Sequence, residues 1–310
     1  MELSGLLVIQ MIKLFLMIFM GYVIVKIGLL KSEDSKVLSV IVLYLVIPCV
    51  ILNAFQVENT PEMMRGLGLA FVASIFLQSA LLVVVKLLTK VLRLNEVEMT
   101  SVYYSNSGNL IVPLVAYMLG EKWVSYACVF MGIQTIFLWT HCKKVLSRDP
   151  KIDWKKTVGN INILSILLAM VLFFAGIRLP EVVRGTISSV GSMIGPLSMF
   201  VVGMLIAGMD LREVLTRKSA YGMVALRLLV IPVCALLLLK LSGMSDWVVD
   251  GTKILLITFL AVISPSAATV TQMSQVYGND AGYASVINVL STLLAIVTMP
   301  LMVLLYQRVM

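Results

Sequence analysis

Apolar runs of about 20 residues, the length a helix needs to cross the hydrocarbon core of a bilayer, recur along the whole chain. They fall at about 5–29, 36–56, 66–89, 99–119 and 122–142, and again at about 158–177, 187–209, 219–241, 252–273 and 282–306. This pattern predicts an all-α membrane protein of ten transmembrane helices. Ten spans divide five and five, and because five is odd the second half enters the membrane from the opposite side. The expected organisation is a 5+5 inverted repeat, with a first five-helix repeat at 1–142, a linker at 143–157 and a second repeat at 158–310. Composition agrees: 60% of residues are hydrophobic and 13% charged, against roughly 45–50% and about 25% in soluble domains.

Two of the spans are broken. In the fourth, Tyr103-Tyr104-Ser105-Asn106-Ser107-Gly108-Asn109-Leu110-Ile111-Val112-Pro113 places two serines, two asparagines, a glycine and a proline at membrane depth. Pro113 has no N–H, and its ring pushes away the carbonyl four residues back, that of Asn109. In the ninth, Ser264-Pro265-Ser266-Ala267-Ala268-Thr269 interrupts in the same way. Hydrocarbon cannot hydrogen-bond loose backbone, so such segments survive only when buried in protein or lining a wet cavity. Broken spans in corresponding places of two halves point to the substrate site of an inverted-repeat transporter. The candidate substrate-binding residues are therefore Ser105, Asn106, Gly108, Asn109 and Pro113, with Ser264, Pro265, Ser266 and Thr269. Asn106 and Asn109 would share one face of a helical turn, and their amides can donate to a carboxylate. The competing reading is that they are interhelical glue, and that the hydroxyls bond back to their own helix.

Charge sets an orientation. Fifteen Lys and Arg lie in the loops after spans one, three, five and seven, and seven on the opposite side. Basic residues near span ends collect on the cytoplasmic side, so both termini are expected outside a cytoplasmic (plasma) membrane and the 143–157 linker inside. The formal charge of +8 then reflects membrane orientation, and no nucleic-acid partner is expected, since basic residues are not interleaved with aromatics. The N-terminus lacks the basic segment of a cleavable signal and reads as a retained first span. Lys13 and Arg227 are the charges deepest within spans. Each is by default a site candidate, but Arg227 is only about eight residues from a span end, so both are expected to snorkel to the interface.

Other chemistry is sparse. No Walker-type phosphate loop occurs, which leaves gradients or another subunit to supply energy. The four cysteines lack metal-ligand spacing and read as small hydrophobes, the scattered methionines as gap fillers, and His141 as an interfacial residue. No metal or other cofactor is expected, and no constellation of catalytic residues appears. Gln78 and Gln134 are further polar candidates within spans. No Asp or Glu sits in mid-span, so the carboxylate relay of proton or sodium antiporters is missing.

Several motifs resemble the auxin efflux carrier family, which includes plant PIN proteins and bacterial permeases. Asn106, Gly108 and Pro113 match the family's Asn-x-Gly-x-x-Gly-x-Pro pattern, with Ile111 where a glycine is usual. Leu45-Val46-Ile47-Pro48, Gly195-Pro196-Leu197 to Gly203, and Arg227-Leu228-Leu229-Val230-Ile231-Pro232 are also similar. The end matches best, from Pro265 through Tyr277-Gly278-Asn279-Asp280 to Ser291-Thr292 and Pro300. The resemblance covers essentially the whole chain. It implies a scaffold of spans one, two, six and seven and a transport domain of the other six, with broken spans four and nine crossing at their prolines. At such a crossing, positive half-helix ends suit an anion. The expected function is a secondary transporter, a permease moving a small organic anion such as a carboxylate by alternating access, in contact with membrane lipid and with a homodimer left open. The rival readings are a sodium-coupled symporter of the bile-acid type and a channel.

Overall fold

The computed structural model describes residues 2–148 and 159–310, which are helical almost throughout and contain no β-strand. Among these residues six helical stretches are long and apolar enough to cross a membrane: Ser32–Ala54, Pro61–Leu92, Glu121–Ser147, Glu181–Ala207, Lys218–Ser242 and Ala281–Val309. Three shorter apolar stretches, Ser107–Leu119, Ile161–Phe174 and Gly251–Ile263, lie between them. The expected linker lies outside the described residues from 149 onward, and its first part continues the preceding helix.

In chain order the α-helices are α1 (Glu2–Lys26), α2 (Ser35–Ile41), α3 (Ile47–Ala54), α4 (Pro61–Leu92), α5 (Glu96–Tyr103), α6 (Val112–Leu119), α7 (Val124–Phe137) and α8 (Lys143–Ser147). They continue as α9 (Ile161–Phe174), α10 (Glu181–Gly191), α11 (Ile194–Ala207), α12 (Leu211–Thr216), α13 (Lys218–Ala225), α14 (Ile231–Ser242), α15 (Gly251–Ile263), α16 (Ala268–Val276) and α17 (Ala281–Val309). Between α2 and α3, ahead of α6, and between α13 and α14, the backbone widens into π-helical turns at Val42–Val46, Ser107–Ile111 and Leu226–Val230. Each of these turns ends two residues before a proline: Pro48, Pro113 and Pro232. The cause is steric. A proline cannot donate to the carbonyl four residues back and its ring collides with it, and one extra residue in the preceding turn moves that carbonyl aside. A fourth such turn, Leu138–Cys142, has no proline after it.

The interior is built around α15. Every residue from Ile254 to Ala267 is buried, and this helix, apolar on all sides as a fully enclosed helix must be, packs against α4, α7, α14 and α17. Elsewhere the approach of helices depends on missing side chains. Helix α1 lies along α11, where a Cβ at Gly203 would fall on the Ile18 carbonyl oxygen and one at Gly21 on the backbone of Phe200. Small residues at helix contacts matter in a membrane because association there depends on close packing and not on exclusion of water.

Local signals fix the helix ends. Asn95 and Glu98 form a reciprocal capping box, each backbone N–H donating to the other's side chain at 2.9 Å, which starts α5. The Gly278-Asn279-Asp280 turn uses each residue differently. Gly278 takes a left-handed φ of +70° that L side chains avoid. Asn279 donates to the Leu146 carbonyl at 2.8 Å. Asp280 caps α17 by accepting from Tyr283 N at 2.8 Å and pairs with Arg217 at 3.3 Å.

Candidate functional site

Helix α5 stops at Tyr103 and α15 at Ile263, and in both places the chain leaves helical geometry for a few residues before a new helical segment begins. The two interruptions satisfy each other. Asn106 N donates to the Pro265 carbonyl at 2.8 Å, and Ala267 N to the Tyr104 carbonyl at 3.0 Å, forming a single antiparallel bridge centred on Ser105 and Ser266. Proline's missing donor costs nothing here, because only its carbonyl is needed. Each interruption is also clamped by an amide from the long helix that follows it. Gln134 Nε2 donates to the Ser105 carbonyl at 2.6 Å and to Ser107 Oγ at 3.1 Å, and its Oε1 accepts from Ser105 Oγ. Asn288 Nδ2 donates to the Ser266 carbonyl at 2.6 Å, while Ser266 N donates to Ser291 Oγ at 3.1 Å. These bonds supply partners to interrupted backbone that hydrocarbon could not supply.

A third partner is Arg227, which is 1% exposed and does not snorkel. The expectation of an interfacial arginine is therefore overturned. Its Nε and Nη2 donate to the Ser264 carbonyl at 3.1 and 2.7 Å, Nη2 also to Val262 O at 2.5 Å, and Nη1 to Val102 O and Tyr103 O at 3.1 and 3.2 Å. These are the last carbonyls of α5 and α15, which have no intrahelical donors of their own, and the guanidinium brings enough N–H groups to serve them together. Counting residues to the span end misjudged Arg227 because it lies within the wide turn Leu226–Val230, on the buried side of its helix.

Around the first interruption lies a ring of aromatic and polar side chains. Tyr103 Oη donates to the Gln78 carbonyl at 2.7 Å and to its Oε1 at 2.9 Å. Tyr104 Oη donates to the Phe137 carbonyl at 2.9 Å and lies 3.0 Å from His141 Nδ1. His141 is thus half-buried against the tyrosines, and Gln78 and Gln134 both support the interruptions.

The structure brings Ser105, Asn106, Ser264, Pro265 and Ser266 together and spends several of them internally. Ser264 Oγ returns to the Ala261 carbonyl at 3.0 Å. Ser266 Oγ is buried without a partner among the described residues. The side-chain amides of Asn106, 7% exposed, and of half-buried Asn109 have no hydrogen-bond partner among the described residues, and neither has the Thr269 hydroxyl. Gly108 faces Met131, whose Sδ would lie 3.1 Å from an added Cβ.

Pro113 is placed differently from the expectation that it forms the break. The interruption falls at 104–106, and Pro113 is the second residue of α6, its clash with Asn109 absorbed by the wide turn. Opposite Pro265 stands Asn106. Pro113 instead lies against Gly195 of α11, where an added Cβ would approach its ring to 3.3 Å. It lines a cavity of about 280 Å3 together with Val50, Asn53, Tyr117, Ser188 and Ser192. At the edge of that cavity Lys13 Nζ donates to Tyr117 Oη at 2.9 Å and sits 4.3 Å from the ring centre. Asn288 was not anticipated from the sequence, although Asn288, Ser291 and Thr292 form a polar stripe at helical spacing in an otherwise apolar span.

A family model described as membrane transport protein matches residues 6–151 and 146–303. The chain belongs to this family, that of the auxin efflux carriers. No curated protein matches the chain. The protein is therefore a multi-pass membrane transporter, and its family is one of transport proteins, not of enzymes. For a transporter of this family the paired interruptions carry a consequence: at one point they concentrate helix ends, a buried cation and unspent amides.

Proposed function

We propose that the protein is a secondary carrier that moves a small organic anion, a carboxylate, across a cytoplasmic membrane by alternating access. In this reading the helical stretches are ten spans in a 5+5 inverted repeat, and the interrupted ones, α5–α6 and α15–α16, cross at their breaks. The observation that carries the substrate's sign is an electrostatic asymmetry. The negative ends of α5 and α15 are answered by Arg227. The segments that contain the following helix starts carry no carboxylate of their own: no Asp or Glu occurs between Glu98 and Glu121 or between Asp250 and Asp280. An anion is the charge that those ends lack. The amides of Asn106 and Asn109 supply donors for it, and Lys13, bonded to Tyr117 at the wall of the 280 Å3 cavity that Glu121 also lines, adds a cation on the approach route. That cavity separates α3 and α10, in the scaffold of this reading, from α6 in the moving part, which is where a gap must open and close.

The test is uptake of labelled carboxylates into proteoliposomes, with and without sodium or proton gradients. Saturable uptake with counterflow supports a carrier, and flux that neither saturates nor exchanges means a channel. Orientation is tested separately: a reporter fused after Arg308 is expected outside and one near Asp149 inside, and the reverse pair overturns the ten-span topology.

A further inference from the structure

Carbonyls freed at the C-terminal ends of interrupted helices are the backbone groups that coordinate cations in transporters, and a cage of carbonyl oxygens is how backbone replaces an ion's hydration shell. In this protein four such carbonyls, of Val102, Tyr103, Val262 and Ser264, converge on one guanidinium that belongs to the chain itself. Among the described residues no carboxylate pairs with Arg227. A buried cation without a counter-ion is costly, and what offsets the cost here is the summed negative end of two helices. The contacts come from two separate interruptions, so this one side chain ties both together.

We propose that Arg227 is a tethered cation that takes the place of a coupling ion at the paired interruptions, so that the transport cycle runs without an alkali-metal ion. Its transport half rests on the carrier reading above, whereas its binding half needs only the carbonyl cage. Two consequences separate charge from mere packing. A variant that keeps the charge with fewer donors must outperform one that keeps donors without charge. A variant that vacates the cage must accept a cation from solution.

Thermal unfolding of the purified full-length protein is measured for wild type, Arg227→Lys, Arg227→Gln and Arg227→Ala. Each is measured in sodium, potassium or N-methylglucamine buffer, with and without millimolar guanidinium. Wild type is expected to unfold at one temperature in all buffers. Arg227→Ala is expected to unfold roughly 5 °C or more lower and to recover at least half of that loss with guanidinium or an alkali ion, and Lys is expected to rank above Gln. The proposal is overturned if Gln equals or exceeds Lys, or if Arg227→Ala responds to no cation. Should Arg227→Ala not survive purification, the ranking of Lys against Gln decides alone. In the transport arm, wild-type counterflow of a carboxylate found in the uptake screen is expected to be equal with and without sodium, and a strict sodium requirement overturns the coupling claim. If no carboxylate is carried, the carrier reading fails, while the unfolding data still decide whether Arg227 acts as a cation in the cage.

Discussion

The two interruptions use the same backbone device but differ in what their side chains have left over. At 104–106 the chain is bridged to its partner and clamped by Gln134, yet the amides of Asn106 and Asn109 remain unspent. At 264–267 the Ser264 hydroxyl has gone back to its own helix and Asn288 is occupied with the Ser266 carbonyl. The symmetry of the backbone therefore does not extend to the side chains. The first break leaves two amides over, whereas the second leaves hydroxyls, those of Ser266 and Thr269.

The largest expected effects come from removing the clamps, because these leave buried polar groups without partners. Gln134→Leu would orphan the Ser105 carbonyl and both the Ser105 and Ser107 hydroxyls, at about 1–3 kcal/mol for each buried group left unsatisfied. Asn288→Leu would orphan the Ser266 carbonyl alone, for one such cost. Unfolding temperatures of the two purified variants should therefore separate, with Gln134→Leu the lower. Equal losses would mean that the two breaks carry the same polar load.

Next in size are changes to the unspent amides, which should act on binding more than on stability. Asn106→Asp places a negative charge where the anionic substrate is expected, and binding should be nearly abolished. Asn106→Ala removes a donor and should weaken binding by about 1–3 kcal/mol if the bond is to a carboxylate. Substrate affinities of the purified proteins check both, and a wild-type affinity in Asn106→Asp would make this residue packing glue. The prolines rank lower and unequally. Pro265→Ala alters the extended segment that pairs with Asn106, whereas Pro113→Ala alters a helix start whose wide turn has already accommodated the ring. Counterflow should fall more in Pro265→Ala, and the opposite order would restore Pro113 as the break.

Much of this was legible in the sequence because hydrocarbon imposes severe rules. Spans have a minimum length, broken backbone must be buried, and polar residues inside spans need a reason, so 103–113 and 264–269 were conspicuous as soon as the apolar runs were drawn. Three things were not legible. The exact break in the fourth span was attributed to Pro113, because proline is the stronger helix breaker in sequence, but a π-helical turn can absorb a proline without ending a helix. The role of Arg227 was hidden for a related reason: its distance to the span end is a property of one helix, whereas the carbonyls that hold it belong to two others. The same holds for Asn288, whose partner lies 22 residues away.

The smallest effect belongs to Ser266→Ala, and it discriminates best for that reason. The Ser266 hydroxyl is buried and lacks a hydrogen-bond partner among the described residues, so in the folded protein it carries the desolvation cost of a polar group without a compensating bond. Removing a group in that condition loses no native interaction and can be neutral or stabilising, while the backbone N–H and carbonyl of Ser266, which bond Ser291 and Asn288, stay in place. The unfolding temperature of Ser266→Ala should equal or slightly exceed that of wild type, and substrate affinity should be unchanged. A hydroxyl kept for the substrate gives weakened binding instead, whatever the unfolding temperature. That outcome would give the second interruption a share in recognition and remove the asymmetry between the two breaks.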